Sequence, residues 1–112
     1  MSNIHGFHAH VYYDASSFEQ ASKLCDRAGE LFEISVGRKH RKAVGPHPCW
    51  SCQLAFKPEL FGDIVPWLTL NRDGLTIFIH AETDDVRKDH TEHTIWMGNI
   101  EPLHLGIFRT ET

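Results

Sequence analysis

The segment Phe7-His8-Ala9-His10-Val11-Tyr12-Tyr13 constrains the fold more than any other, because a strict two-residue alternation suits a strand buried on one face only. Phe7, Ala9, Val11 and Tyr13 form its core side, and His8, His10 and Tyr12 take the opposite side. A helix follows. After Ser16-Ser17 the apolar residues Phe18, Ala21, Leu24, Cys25, Ala28, Leu31 and Phe32 recur at steps of three and four, and Glu19 stands where a capping box with Ser16 needs it. Residues 34–44 read as a second strand whose Arg38, Lys39, His40, Arg41 and Lys42 would guard a sheet edge. Gly45-Pro46-His47-Pro48 is turn chemistry that holds His47 extended between two prolines. Cys52, Leu54 and Phe56 then alternate with Ser51, Gln53 and Ala55 in a third strand. Residues 59–70 carry Leu60, Ile64, Trp67 and Leu68 at helical spacing despite Pro66. The turn Asn71-Arg72-Asp73-Gly74 leads into a fourth strand, in which Leu75, Ile77 and Ile79 alternate with Thr76, Phe78 and His80.

A polar stretch over residues 82–93 reads as a short helix, and the tail shows no periodicity. The chain of 112 residues is thus expected to be a single domain spanning 1–112, of the α+β class: a ferredoxin-like βαββαβ sandwich with one open sheet face and an extra short C-terminal helix. In that arrangement the first and third strands are expected to be central and parallel, with the fourth antiparallel beside the first. Both helices would cover one face.

Composition narrows the function. A net charge of −4 and a pI near 6.1 exclude a generic basic nucleic-acid footprint. No apolar run approaches the ~20 residues of a membrane span. Three cysteines, an odd number, in a chain that opens without a basic-then-apolar leader point to a reducing, cytoplasmic setting. Gly-rich phosphate loops are missing, and Ser16 and Ser17 are occupied as caps rather than as nucleophiles. What stands out is nine histidines, dispersed at 5, 8, 10, 40, 47, 80, 90, 93 and 104.

The alternation places His8, His10 and His80 on the open face, and His80 ends a strand antiparallel to the one carrying His8 and His10. With a parallel third strand, His47 would arrive at the same end. Three or four neutral imidazoles that converge with positions left open are the pattern of a catalytic metal site for Fe, Zn, Cu or Ni. Cys49-Trp50-Ser51-Cys52 lacks the second pair of a zinc ribbon; Cys52 falls on the core side, while Cys49 stands nearer the imidazoles. His90 and His93 share one face of the short helix, where His93 reads as solvated.

His8-Ala9-His10-Val11-Tyr12-Tyr13, Gly45-Pro46-His47-Pro48, Leu70-Asn71-Arg72-Asp73-Gly74-Leu75, His80, Thr83, Asp89-His90-Thr91 and Trp96-Met97-Gly98 together resemble the DOPA 4,5-dioxygenase family, in order and over nearly the whole chain. The resemblance implies a non-haem Fe(II) extradiol dioxygenase that opens a catechol-type ring such as that of DOPA with O2. Zn or Ni could replace iron in purified protein. It implies His8, His10, His80 and His47 as metal ligands and His90 with His47 as catalytic groups, since imidazole is the side chain suited to taking and returning the catechol proton. Non-haem iron sites often include a carboxylate, and Glu82 is the nearest in sequence. Tyr12 and Phe78 on the open face, and Arg72 in the turn, are expected to bind substrate, with Arg38, Lys39, Arg41 and Lys42 as further cations for a carboxylate. The other reading is a non-catalytic module of the same fold that holds a metal or small molecule. An open face bearing Tyr12 and Phe78 is exposed unless a partner or the tail from Pro102 shields it, and closed two-fold pairing, the commonest solution, predicts a homodimer.

Overall fold

The computed structural model describes residues 3–108. Strand β1 (Gly6–Tyr13) leads through helix α1 (Phe18–Leu31) to a short β2 (Ser35–Val36), then to β3 (Trp50–Phe56), helix α2 (Phe61–Asn71), β4 (Ile77–Glu82), helix α3 (Val86–Asp89) and β5 (Thr94–Met97). Short 3-10 turns occupy Pro58–Leu60 and Leu105–Ile107. The expected α+β ferredoxin-like fold is present, and the sheet order is β2-β3-β1-β4-β5.

Every pairing is antiparallel, including β1 with β3, which were expected to be parallel. The crossover through α1 returns the chain so that β2 runs the same way as β1, and β3 pairs antiparallel with β2, so β3 must oppose β1. Tyr13 therefore faces Trp50, and the turn carrying His47 enters from the Tyr13 end of the sheet, not from the His8 end.

The second strand is far shorter than residues 34–44. Five charged or imidazole side chains in a row resist regular pairing, and the segment follows β3 only through isolated bonds, Gly37 N to Gln53 O and His40 N to Ser51 O. The capping box of Ser16 and Glu19 does not form. The Asp14 carboxylate takes its place, accepting from the Ser16 and Ser17 amides and from both hydroxyls. β5 was not expected as a strand. Thr94 and Trp96 alternate with Ile95 and Met97, but four residues are too few for periodicity to separate from the polar stretch before them.

The helices pack on the face formed by Ala9, Val11, Leu54, Ile77 and Ile79, all fully buried, against Ala21, Cys25, Ala28, Ile64 and Leu68. On the opposite face lie His8, His10, Tyr12, Phe78, His80 and Trp96. That face is not bare. Gly98, at φ +86, ends β5 in a conformation an L side chain rarely adopts and turns the chain back. The tail then bonds through His104 N to Pro46 O, accepts from Arg87 Nη1 at Leu105 O, and sets Phe108 4.5 Å from the His90 ring. Phe78 and Tyr12 are consequently buried within one chain, which removes the exposed face from which a homodimer was expected.

Candidate metal centre

β1 and β4 place His8 directly across from His80, and His10 across from Phe78. Antiparallel neighbours on one face bring side chains together, so one nitrogen from each of His8, His10 and His80 falls within 4.8 Å of the others. His10 and His80 are buried and His8 is half-buried.

The hydrogen bonds fix which nitrogens are available. His80 Nδ1–H donates to the Ala81 carbonyl at 2.9 Å, which leaves the lone pair on Nε2. That Nε2 lies 3.1 Å from His10 Nε2. Two nitrogens bound to one ion at about 2.0–2.1 Å sit roughly 3.0–3.4 Å apart, so this spacing fits a shared metal. His8 Nε2 pairs with Glu82 Oε1 at 2.8 Å, leaving Nδ1 to ligate. A carboxylate or carbonyl on the far nitrogen of a ligand histidine is the usual way such rings are oriented.

Electrostatics keeps the imidazoles in the neutral form that metals require. Burial, then the neighbouring His47, His80, His8 and His90, pushes His10 well below the usual imidazole range. Burial lowers His80 to about 4, outweighing the bond to Ala81. His8 is lowered by burial, partly offset by Glu82. The donor set is three neutral imidazoles with one carboxylate beside them, and the group could bind a metal.

His47 stands just outside the three-donor group. Its ring is 4.1 Å from that of His10, and its Nδ1 is hydrogen-bonded to the Tyr12 hydroxyl at 2.7 Å. Gly45, at φ +56, opens the turn that swings it over the sheet from the Tyr13 end. Burial, reinforced by His90, His40 and His8, lowers His47 to about 4. His90 closes the other side. Its ring is 4.1 Å from that of His80, and Nδ1–H donates to Val86 O at 2.8 Å, so its Nε2 carries the lone pair. His93 is not merely solvated: its Nδ1 lies 2.8 Å from the buried Asp89 carboxylate, which also takes the Thr83 amide and hydroxyl and thereby ties α3 to the end of β4.

Tyr12 and Phe78 form the floor. Phe78 stacks on Trp96 with centroids 4.4 Å apart, and Trp96 also meets Tyr12 edge-on at 6.1 Å. Burial raises the Tyr12 phenol well above its ordinary range. Phe108 escapes the sequence reading, and Trp96 enters it only within the run Trp96-Met97-Gly98 of the family resemblance, with no role assigned.

The cations lie elsewhere. Arg72 sits at the opposite end of β4 from His80, with Nη1 donating to Leu75 O at 3.0 Å. Lys39 pairs with Asp26 of α1 at 2.6 Å, and Arg41 lies 4.1 Å over the Phe18 ring. Cys52 is buried on the core side, and Cys49 is half-buried. A hollow of about 860 Å³ on the helix side is lined by Phe7, Phe61, His93 and Ile95 and by none of the clustered imidazoles. A smaller one of about 480 Å³ is lined by His8, Glu82 and Lys57 and reaches neither His10 nor His80.

Residues 7–107 match the model of the Dopa 4,5-dioxygenase family. An uncharacterised 21.2 kDa protein of Botryotinia fuckeliana is 35% identical over 96% of this chain and 66% of its own length. The DOPA 4,5-dioxygenase of Amanita muscaria is 28% identical over 94% of this chain and 50% of its own length. The chain thus spans between half and two-thirds of these relatives. A crystal structure from Nostoc punctiforme, provisionally assigned as a dioxygenase, superposes with a TM-score of 0.91 at 44% identity, covering 93% of this chain and 90% of that one. With the match extending across almost every described element, this chain belongs to the Dopa 4,5-dioxygenase family.

Proposed function

We propose that this chain is a non-haem Fe(II) extradiol dioxygenase that opens a catechol-type ring with O2. The convergence of His8, His10 and His80 beside His90 carries that reading. When bound, ferrous iron supplies the Lewis acidity and redox chemistry through which dioxygen reacts with an aromatic diol.

His8, His10 and His80 would hold the ion, with Ala81 O fixing the tautomer of His80 and Glu82 that of His8. His90, whose Nε2 lone pair is left free by its bond to Val86 O, accepts a proton from the diol and returns it later. His47, steadied by the Tyr12 hydroxyl, braces the ring of His10. Phe78 and Tyr12, backed by Trp96, keep the floor apolar, and the tail limits water over it. Arg72 lies apart from this site, at the far end of β4, where one of its guanidinium nitrogens donates to the Leu75 carbonyl.

The test is anaerobic loading with Fe(II), followed by O2 uptake on a panel of catechols with and without acidic side chains. Uptake matched by a ring-opened product is expected. Iron that is retained without uptake on any catechol would favour a metal-binding module instead.

A further inference from the structure

The outer edge of β5 is unpaired among the described residues. Its hydrogen-bonding phase is set by Ala81 N, which bonds to His93 O just before the strand begins. In the β4–β5 register this makes Ile79–Ile95 and Ile77–Met97 the mutually bonded pairs, so the backbone groups of Thr94 and Trp96 point away from the sheet. The opposite edge is protected differently: β2 has only two residues and runs directly into the basic segment from Arg38 to Lys42. β5 carries no such guard. Ile95, on the helix side of the sheet, is 41% exposed and stands at the rim of the hollow floored by Phe7, Phe61 and Ala81.

We infer that two copies of this chain join along their β5 edges, antiparallel about a two-fold axis, into one continuous sheet. Pairing Thr94 with Trp96 of the second copy satisfies all the outward backbone groups at once and sets the two Ile95 side chains opposite each other as a close, non-bonded pair. The contact is self-complementary and closed, as a two-fold interface requires. Charge agrees. Glu92 precedes β5, while the Arg72 guanidinium lies against Gly98 just past its end, within 3.1 Å of where a Cβ would stand. Antiparallel pairing brings the start of one strand to the end of the other, and so Glu92 towards Arg72 of the second copy. The surface lies at the sheet edge rather than on the face covered by the tail, and the inference does not depend on the metal.

Sedimentation velocity at tens of micromolar protein is expected to give twice the 12.8 kDa of one chain. Ile95→Lys, at a position already exposed in the single chain, is expected to give one chain's mass with an unchanged circular dichroism spectrum. Ile95→Cys is expected to cross-link on oxidation above the background of the wild-type cysteines. Glu92→Arg is expected to weaken dimerisation several-fold, and adding Arg72→Glu to restore it. A wild-type monomer would overturn the inference, as would a dimer untouched by Ile95→Lys with no cross-link through Ile95→Cys.

Discussion

At the scale of single residues, the histidines divide by their place around the cluster rather than by the partner of the far nitrogen. His80 and His90 both donate Nδ1–H to backbone carbonyls, yet one lies in the three-donor group and the other beside it. His90→Ala is therefore expected to keep its metal while kcat falls about 10²-fold or more, the usual scale for losing a general acid or base; steady-state turnover of the iron-loaded variant, with metal content measured in parallel, checks this. The buried rings also link stability to pH. His47 and His80, lowered to about 4 from 6.5, bind protons more readily in the unfolded chain than in the folded one. Their contribution is full above pH 6.5 and is lost as pH falls through that value towards 4. Denaturant titrations of metal-stripped protein should show stability falling over that window. The residues His8, His10 and His80 were legible in sequence because strand alternation fixes a side chain's face without any tertiary information. For Arg72, sequence shows a cation in the turn before β4 but not that its guanidinium donates to the carbonyl three residues on, away from the imidazoles.

At the scale of elements, α3 spans only Val86–Asp89, too short to hold itself together, and is anchored through Asp89. Burial would raise that carboxyl, but its bonds to Thr83 and His93 outweigh the burial and hold it below the usual range. Asp89→Ala leaves the part-buried Thr83 amide without its acceptor and is expected to cost roughly 1 kcal/mol, read from thermal or denaturant unfolding, with His90 loosened as a result. The motif Asp89-His90-Thr91 was visible in sequence, but Asp89 as the tie between α3 and β4 was not, because its partners come from Thr83 and His93 across a turn. The direction of β3 was misjudged for a similar reason. Period-two patterns show which face a residue takes and are silent on which way the strand runs, and only the β2–β3 pairing decides that.

At the scale of the whole molecule, a sheet with helices on one side would leave His8, His10, Tyr12 and Phe78 open, but the turn at 45–48 and the tail fold over them. The tail has no periodicity, so sequence leaves it as one of two possible shields of that face, beside a partner, and does not decide between them. Truncation after residue 103 removes the Leu105 carbonyl that takes Arg87 and the Phe108 ring that packs on His90. The truncated protein is expected to bind an environment-sensitive hydrophobic dye and to release metal faster than the full chain, both followed by fluorescence.

The central claim is that strand histidines from β1 and β4 form one metal centre. Metal content per chain after loading with Fe(II) under argon and desalting tests it most directly. One equivalent is expected in the wild type and almost none in His10→Ala or His80→Ala, with both variants folded by circular dichroism. A full equivalent retained in both variants would contradict it.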